Sequence, residues 1–244
     1  MTKFKPTTWE QLPHGDVVKE TIEQQLACSL SQAFGYHLLK LGPLSAAMNT
    51  HTSSIDHQFS LSETPLAHVL ADYTHLPIAN HSIDCVLANL LLEFETNPFK
   101  VLREINRVMI AGGHLIIVGC NPISSLAIGK FLPRKRHGFP WSGRFFSPER
   151  VRDWLEVLGF QVIEQKRIIY HSLLGNYADN TFLQSWMHSW LPFMGSFYVI
   201  NARKIECPLT PSHIWKKKRA PNWSTAPIAG RTLKANKKYL IRNE

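Results

Sequence analysis

The 244-residue chain contains no apolar run approaching the roughly 18 residues that a membrane-spanning helix requires. Residues 1–11 are polar and lack the apolar stretch of a secretory signal. Together these absences predict a cytoplasmic protein. Cysteine is scarce: Cys28, Cys85, Cys120 and Cys207 lie far apart with no paired spacing, which argues against a disulfide framework or a zinc ribbon. Two of them fall inside apolar strand-like runs, so they read as buried thiols. The 12 histidines include no ligand-spaced pair with cysteine or carboxylate on a recognisable helix face, and no metal site is predicted.

Acidic residues are the minority, 18 against 27 Lys and Arg for a formal charge of +9. The imbalance is local. From Lys204 onward ten basic residues face two Glu, whereas residues 1–203 are nearly neutral. With 44% hydrophobic residues the chain can bury a substantial core. The predicted organisation is one α/β domain over residues 1–203, with a helical lead-in over 1–35, followed by a basic, flexible tail over 204–244.

Val18, Ile22, Leu26 and Leu30 recur at four-residue spacing and predict an amphipathic helix ended by Gly35. Residues 36–41 read as a first strand closing at Gly42, and residues 58–61 as a second. Little apolar periodicity follows Ala47, so any helix between these strands is expected to be short. Asn97-Pro98 opens a helix, because Asn caps free N–H groups and Pro at the first position sacrifices none. Ser147-Pro148 opens another. Residues 114–119, 161–170 and 197–202 read as further strands. This alternation argues for a mostly parallel sheet with helices on both faces.

The most informative stretch runs from Ala71 to Asn121. An apolar run ends on Asp72, a turn containing Pro77 follows, then a polar tip (Asn80-His81-Ser82) and a second apolar run from Ile83 to Leu92. Pro77 holds Leu76 extended, so the two runs are separate elements. Asp72, Leu76, Pro77, Ile78, Ser82, Ile83 and Asp84, continued by Leu102-Arg103-Glu104-Ile105, Arg107-Val108-Met109 and Gly112-Gly113-His114-Leu115, resemble the middle of the class I S-adenosylmethionine-dependent methyltransferases, in particular the type 11 group. Ala111 departs from the proline usual there. The likeness extends over residues 36–204. It implies a Rossmann-like fold whose last strand inserts antiparallel, a place that residues 197–202 fit.

The resemblance also implies S-adenosyl-L-methionine as cofactor, bound where four strand ends converge: Gly42, Asp72, Asn89-Leu90 and Asn121. The Asp72 carboxylate would accept from the adenine amino group, and the Tyr73 backbone N–H would face a ring nitrogen. Gly42 would pass near the methionine part, and Asn89 and Leu90 would form the pocket wall. Equally, Asp72 reads as a cap for the following turn. Asp84 lies at the opposite end of the sheet, where pairing with a loop amide is expected. The family's loop after the first strand carries several glycines, because the backbone approaches the cofactor closely. Here the segment is Gly42-Pro43-Leu44-Ser45-Ala46-Ala47, with one glycine only. The acidic residue expected two places earlier is replaced by Lys40. Glu63 is the nearest candidate for the carboxylate that holds the ribose hydroxyls, and a solvated loop residue is the alternative.

Methyl transfer from a sulfonium needs alignment more than covalent help, and a base only where the acceptor arrives protonated. No catalytic residue is therefore assigned; Glu93, Tyr170 and His171 read equally as pocket residues or as ordinary loop and core side chains. In the 131–146 loop Arg134, Lys135, Arg136 and Arg144 could meet an acidic substrate or simply be solvated. The aromatic stripe Phe182, Trp186 and Trp190 reads as packed core, as a lid, or as a partner or membrane-surface contact. Lys216-Lys217-Lys218-Arg219 beside Trp215 and Trp223 suits RNA, or an unstructured soluble tail. Two functions follow. The first is an S-adenosylmethionine-dependent methyltransferase of unidentified acceptor. The second, motivated by the reduced glycine loop, is a cofactor-free degenerate methyltransferase fold acting as an RNA- or protein-interaction module.

Overall fold

A computed structural model describes residues 5–65, 67–124, 126–127, 130, 138–170 and 192–205. The basic tail after Ile205 with its proposed RNA contact, Cys207, His171, the aromatic stripe at 182–190 and the Arg134–Arg136 cluster lie outside the described residues.

Seven strands form one sheet: β1 (His37–Leu41), β2 (His57–Ser62), β3 (Val69–Leu70), β4 (Ile83–Asn89), β5 (Met109–Cys120), β6 (Phe160–Ile168) and β7 (Phe197–Lys204). Their order is β3-β2-β1-β4-β5-β7-β6. All neighbouring pairs from β3 to β5 are parallel, and β7 runs antiparallel between β5 and β6. This is the Rossmann-like arrangement with an inserted antiparallel last strand. Lys204, placed at the start of the tail by charge alone, is instead the last residue of β7. Its Nζ donates to the Asn106 and Met109 carbonyls at 2.9 Å each, at the end of the helix that precedes β5.

The two faces follow from strand alternation. Every residue of β4 is buried, as expected for a central parallel strand. Cys85 and Leu87 join one core, and Val86 and Ala88 the other. Helix α1 (Gly15–Ser31) covers the first face with Val18, Ile22, Leu26 and Leu30. On the second face lie α3 (Pro98–Val108) and α4 (Pro148–Val157). They bury Val101, Leu102, Ile105, Val151 and Leu155 there. Asn97 and Ser147 cap these helices, accepting from Lys100 N and Arg150 N. Between β1 and β2 the helix is a single turn, α2 (Pro43–Ala46), in line with the missing periodicity. Cys85 and Cys120 are buried free thiols, and burial pushes the Cys85 thiol up to about 12, whereas Cys28 is exposed. An exposed helical position needs no apolar partner, and four-residue periodicity skips it.

The Asp72–Asp84 stretch and α3 are one mechanical unit. Arg107 donates to the carbonyls of Leu76 (2.9 Å) and Ile78 (3.0 Å), while Glu104 accepts from Leu76 N (3.1 Å) and pairs with Arg107. Asp84 accepts from the backbone N–H groups of Tyr36 (3.0 Å) and His37 (2.9 Å). It therefore fastens the start of β1, the loop-amide role expected of it. Arg107→Ala should lower stability by about 1.5–3 kcal/mol, the scale of hydrogen bonds to a charged group. Thermal unfolding checks this; an unchanged midpoint would remove the clamp from the account. Among the described residues no helix is long and apolar enough to cross a membrane, and no group of three or more metal-ligating side chains converges.

Candidate functional site

From β1 the chain builds outward through β2 and β3, then returns to add β4 on the other side of β1. The crevice outside the carboxyl ends of β1 and β4 is thus the switch point of an open parallel sheet, where ligands bind in such folds. Gly42, Tyr73, Asn89 and Leu90 all line this crevice, joined by Glu63, Glu95 and Lys5.

Gly42 has φ +90°, a backbone conformation that disfavours side chains, and a Cβ there would lie 3.3 Å from Leu91 Cδ1. Its successor in the loop, Ser45, is fully buried and accepts from Asn89 N through Oγ at 2.8 Å. The reduced glycine loop therefore fastens the end of β4 with a hydroxyl. Leu90 follows at φ +48°, a strained value for a residue with a Cβ. The Asn89 side chain is 1% exposed, and neither its Nδ2 nor its Oδ1 has a hydrogen-bond partner. Buried amides are almost always paired, so this one stands out.

Tyr73 turns its side chain inward. Its hydroxyl lies 3.1 Å from Ser62 Oγ and accepts from Glu63 N at 3.3 Å, and burial pushes its pKa up. Asp72 behaves differently. Its carboxylate accepts from Thr74 N (2.7 Å) and Thr74 Oγ1 (2.9 Å), its side chain is 56% exposed, and the Thr74 hydrogen bonds hold its pKa down. It caps the turn beside the crevice and does not line it. Lys40 points to the α1 side, donating to the Met48 carbonyl. Asn121 is also tied up: its Nδ2 donates to the carbonyls of Phe193 and Gly195, at 2.8 Å each. Arg144 spends its guanidinium on the Glu95 and Thr96 carbonyls, so it pins its loop onto the β4–α3 connection. Tyr170 lines a separate groove between α1 and β6.

Two crevice residues were not singled out by sequence. Glu63 is flanked by Lys5, whose Nζ stands 2.7 Å from Glu63 Oε2 and 2.7 Å from Glu95 Oε1. Burial alone would depress the Lys5 ammonium, but the hydrogen bonds to both carboxylates more than reverse this and raise it. Burial pushes the Glu95 carboxyl up. Nothing in the lead-in composition marks Lys5, and Glu95 is one carboxylate in a run of loop residues; only the fold joins them. Glu93, two residues before Glu95, points away into the core, 1% exposed, with Oε1 accepting from Cys120 N at 2.8 Å.

A family model described as a methyltransferase domain matches residues 30–117. The uncharacterised protein YafS of Escherichia coli is 35% identical over 221 residues, covering 90% of each chain. Among solved structures, an S-adenosylmethionine-dependent methyltransferase of Archaeoglobus fulgidus superposes with a TM-score of 0.55 at 16% identity, over 76% of this chain and 94% of its own. Another, from Thermotoga maritima, does so with a TM-score of 0.54 at 19% identity, over 77% and 91%. With a seven-stranded sheet of this order, a crevice at its switch point and these likenesses, the chain belongs to the class I S-adenosylmethionine-dependent methyltransferase family.

Proposed function

We propose that the protein is an S-adenosylmethionine-dependent methyltransferase whose cofactor occupies the β1–β4 crevice. The observation that carries this reading is the buried, unpartnered amide of Asn89, a residue that lines the switch-point crevice together with Gly42. An amide with a free donor and a free acceptor suits a zwitterionic amino-acid group. The donor set fits the rest of an adenosyl amino acid as well. Glu63, just past β2, offers a carboxylate to ribose hydroxyls, while the Tyr73 N–H, and Asp72 on the turn beside the crevice, offer a donor and an acceptor to an adenine edge that reaches past the crevice wall. When bound, the cofactor supplies an activated methyl on a sulfonium. The chain's own contribution is to hold that group in line with an acceptor and exclude water.

Titration calorimetry with S-adenosylhomocysteine, with NADH as control, tests the reading. One-to-one micromolar binding is expected; no heat at millimolar ligand from folded protein would sink it. In the same assay Asp72→Ala should abolish measurable binding while the fold survives, because an exposed turn cap is worth only about 1 kcal/mol. Undiminished affinity would reduce Asp72 to the turn cap alone.

A further inference from the structure

The crevice is built for a ligand yet has little room for one. The cavity volume there is about 30 Å³, room for only a few water molecules. Small-molecule pockets run from about 300 Å³ upward. Two of the residues that line the crevice, Lys5 and Pro6, come from the lead-in ahead of α1. Lys5 crosses its mouth, bonded to Glu63 on the β2 side and Glu95 on the β4 side, with its Nζ 5.6 Å from the centre of the Tyr73 ring. Pro6 follows it into the crevice and is buried. The anchor of this segment lies farther along: Trp9 is 4% exposed and its Nε1 donates to the Leu44 carbonyl at 3.0 Å. Lys5 can therefore leave while the chain stays tethered at Trp9.

We propose that Lys5 and Pro6 form a tethered plug, which cross-links the two walls of the crevice through Glu63 and Glu95 and must be displaced before an adenosyl cofactor enters. This inference rests on the cofactor reading above and adds its regulation. Three features single out a plug from an incidental surface ion pair. The lysine bridges two carboxylates from different elements. One of them, Glu95, is 5% exposed as a residue and gains a cation it would otherwise lack. The same crevice is lined by Asn89, whose buried amide atoms have no partner. Ligand hydroxyls and a ligand ammonium can replace what Lys5 supplies, so displacement leaves no buried carboxylate stranded. A binding-competent state populated only in part weakens apparent affinity by that fraction.

The test compares wild type, Lys5→Met and Lys5→Arg by calorimetric titration with S-adenosylhomocysteine, together with hydrogen exchange of residues 5–12 in wild type with and without the ligand. The methionine stem keeps the packing but cannot bridge, so affinity should rise about tenfold or more. Lys5→Arg should behave as wild type. In wild type, exchange of the Thr7 amide, which donates to Gln11 Oε1, should speed up when ligand binds, while the Leu12 amide, which donates to the Trp9 carbonyl, stays protected. Equal or weaker binding by Lys5→Met, with exchange of the Thr7 amide unchanged or slowed by ligand, would overturn the plug and leave the cofactor reading standing. If none of the three proteins takes the ligand, the crevice is no cofactor site and the plug falls with it.

Discussion

Glu93→Gln should flatten the pH dependence of stability between pH 5 and pH 8 relative to wild type. The Glu93 carboxyl sits beneath the site, 1% exposed, with one oxygen accepting from Cys120 N and the other, Oε2, without a partner. Burial outweighs the Cys120 hydrogen bond and the nearby Lys130 charge, and pushes its pKa to about 7 from 4.5. Around it lie Gly119, whose Cβ would fall 2.8 Å from Glu93 Oε1, and the buried Tyr198 phenol and Cys120 thiol, both raised well above their ordinary values by burial. None of these offers a positive charge. A raised folded-state pKa means that Glu93 favours the fold fully below about pH 4.5, and that this contribution disappears as pH rises through about 7. The loss amounts to about 3 kcal/mol at 1.36 kcal/mol per unit. Glutamine keeps the acceptor for Cys120 N and cannot ionise. The two proteins should unfold at similar urea concentrations at pH 5, with the variant ahead by about 3 kcal/mol at pH 8. Parallel behaviour at both pH values would show that Glu93 finds a charge partner or solvent when ionised.

The sequence made the frame legible wherever burial is periodic. Val18, Ile22, Leu26 and Leu30 marked α1, and the Asn97-Pro98 and Ser147-Pro148 pairs marked the starts of α3 and α4. The Asp72–Asp84 pattern was legible for a reason that the structure supplies: Glu104 and Arg107 bond the backbone around Pro77, and Asp84 fastens β1. Those residues report on the architecture more than on the ligand. The crevice was half legible. Gly42, Asn89 and Leu90 follow from strand-end reasoning and Tyr73 from the resemblance, and all four line the crevice, whereas the strand-end residues Asp72 and Asn121 do not. Which way Tyr73 and Asp72 turn their side chains was not legible, because both lie past a two-residue strand where no alternation fixes direction. Lys5 escaped notice because its partners are 58 and 90 residues away, a separation that no local pattern encodes.

The same crevice yields an expected exchange of stability for function. Asn89→Leu should make the protein more stable by about 1–3 kcal/mol, the usual cost of leaving a buried polar group unpaired. Leucine is close to asparagine in shape, the Asn89 N–H keeps its bond to Ser45 Oγ, and two unsatisfied atoms disappear. Binding of S-adenosylhomocysteine should fall by about a hundredfold, or 2.7 kcal/mol. A ligand amino-acid group would then meet a methyl surface where it needs a donor and an acceptor. These opposite signs are the useful part, because a structural asparagine would lose stability on the same change. Urea unfolding and calorimetry on one preparation measure both. A destabilised Asn89→Leu protein would mean that the amide serves the fold, and unchanged affinity in a stabilised one would move the amino-acid group of the ligand away from the end of β4.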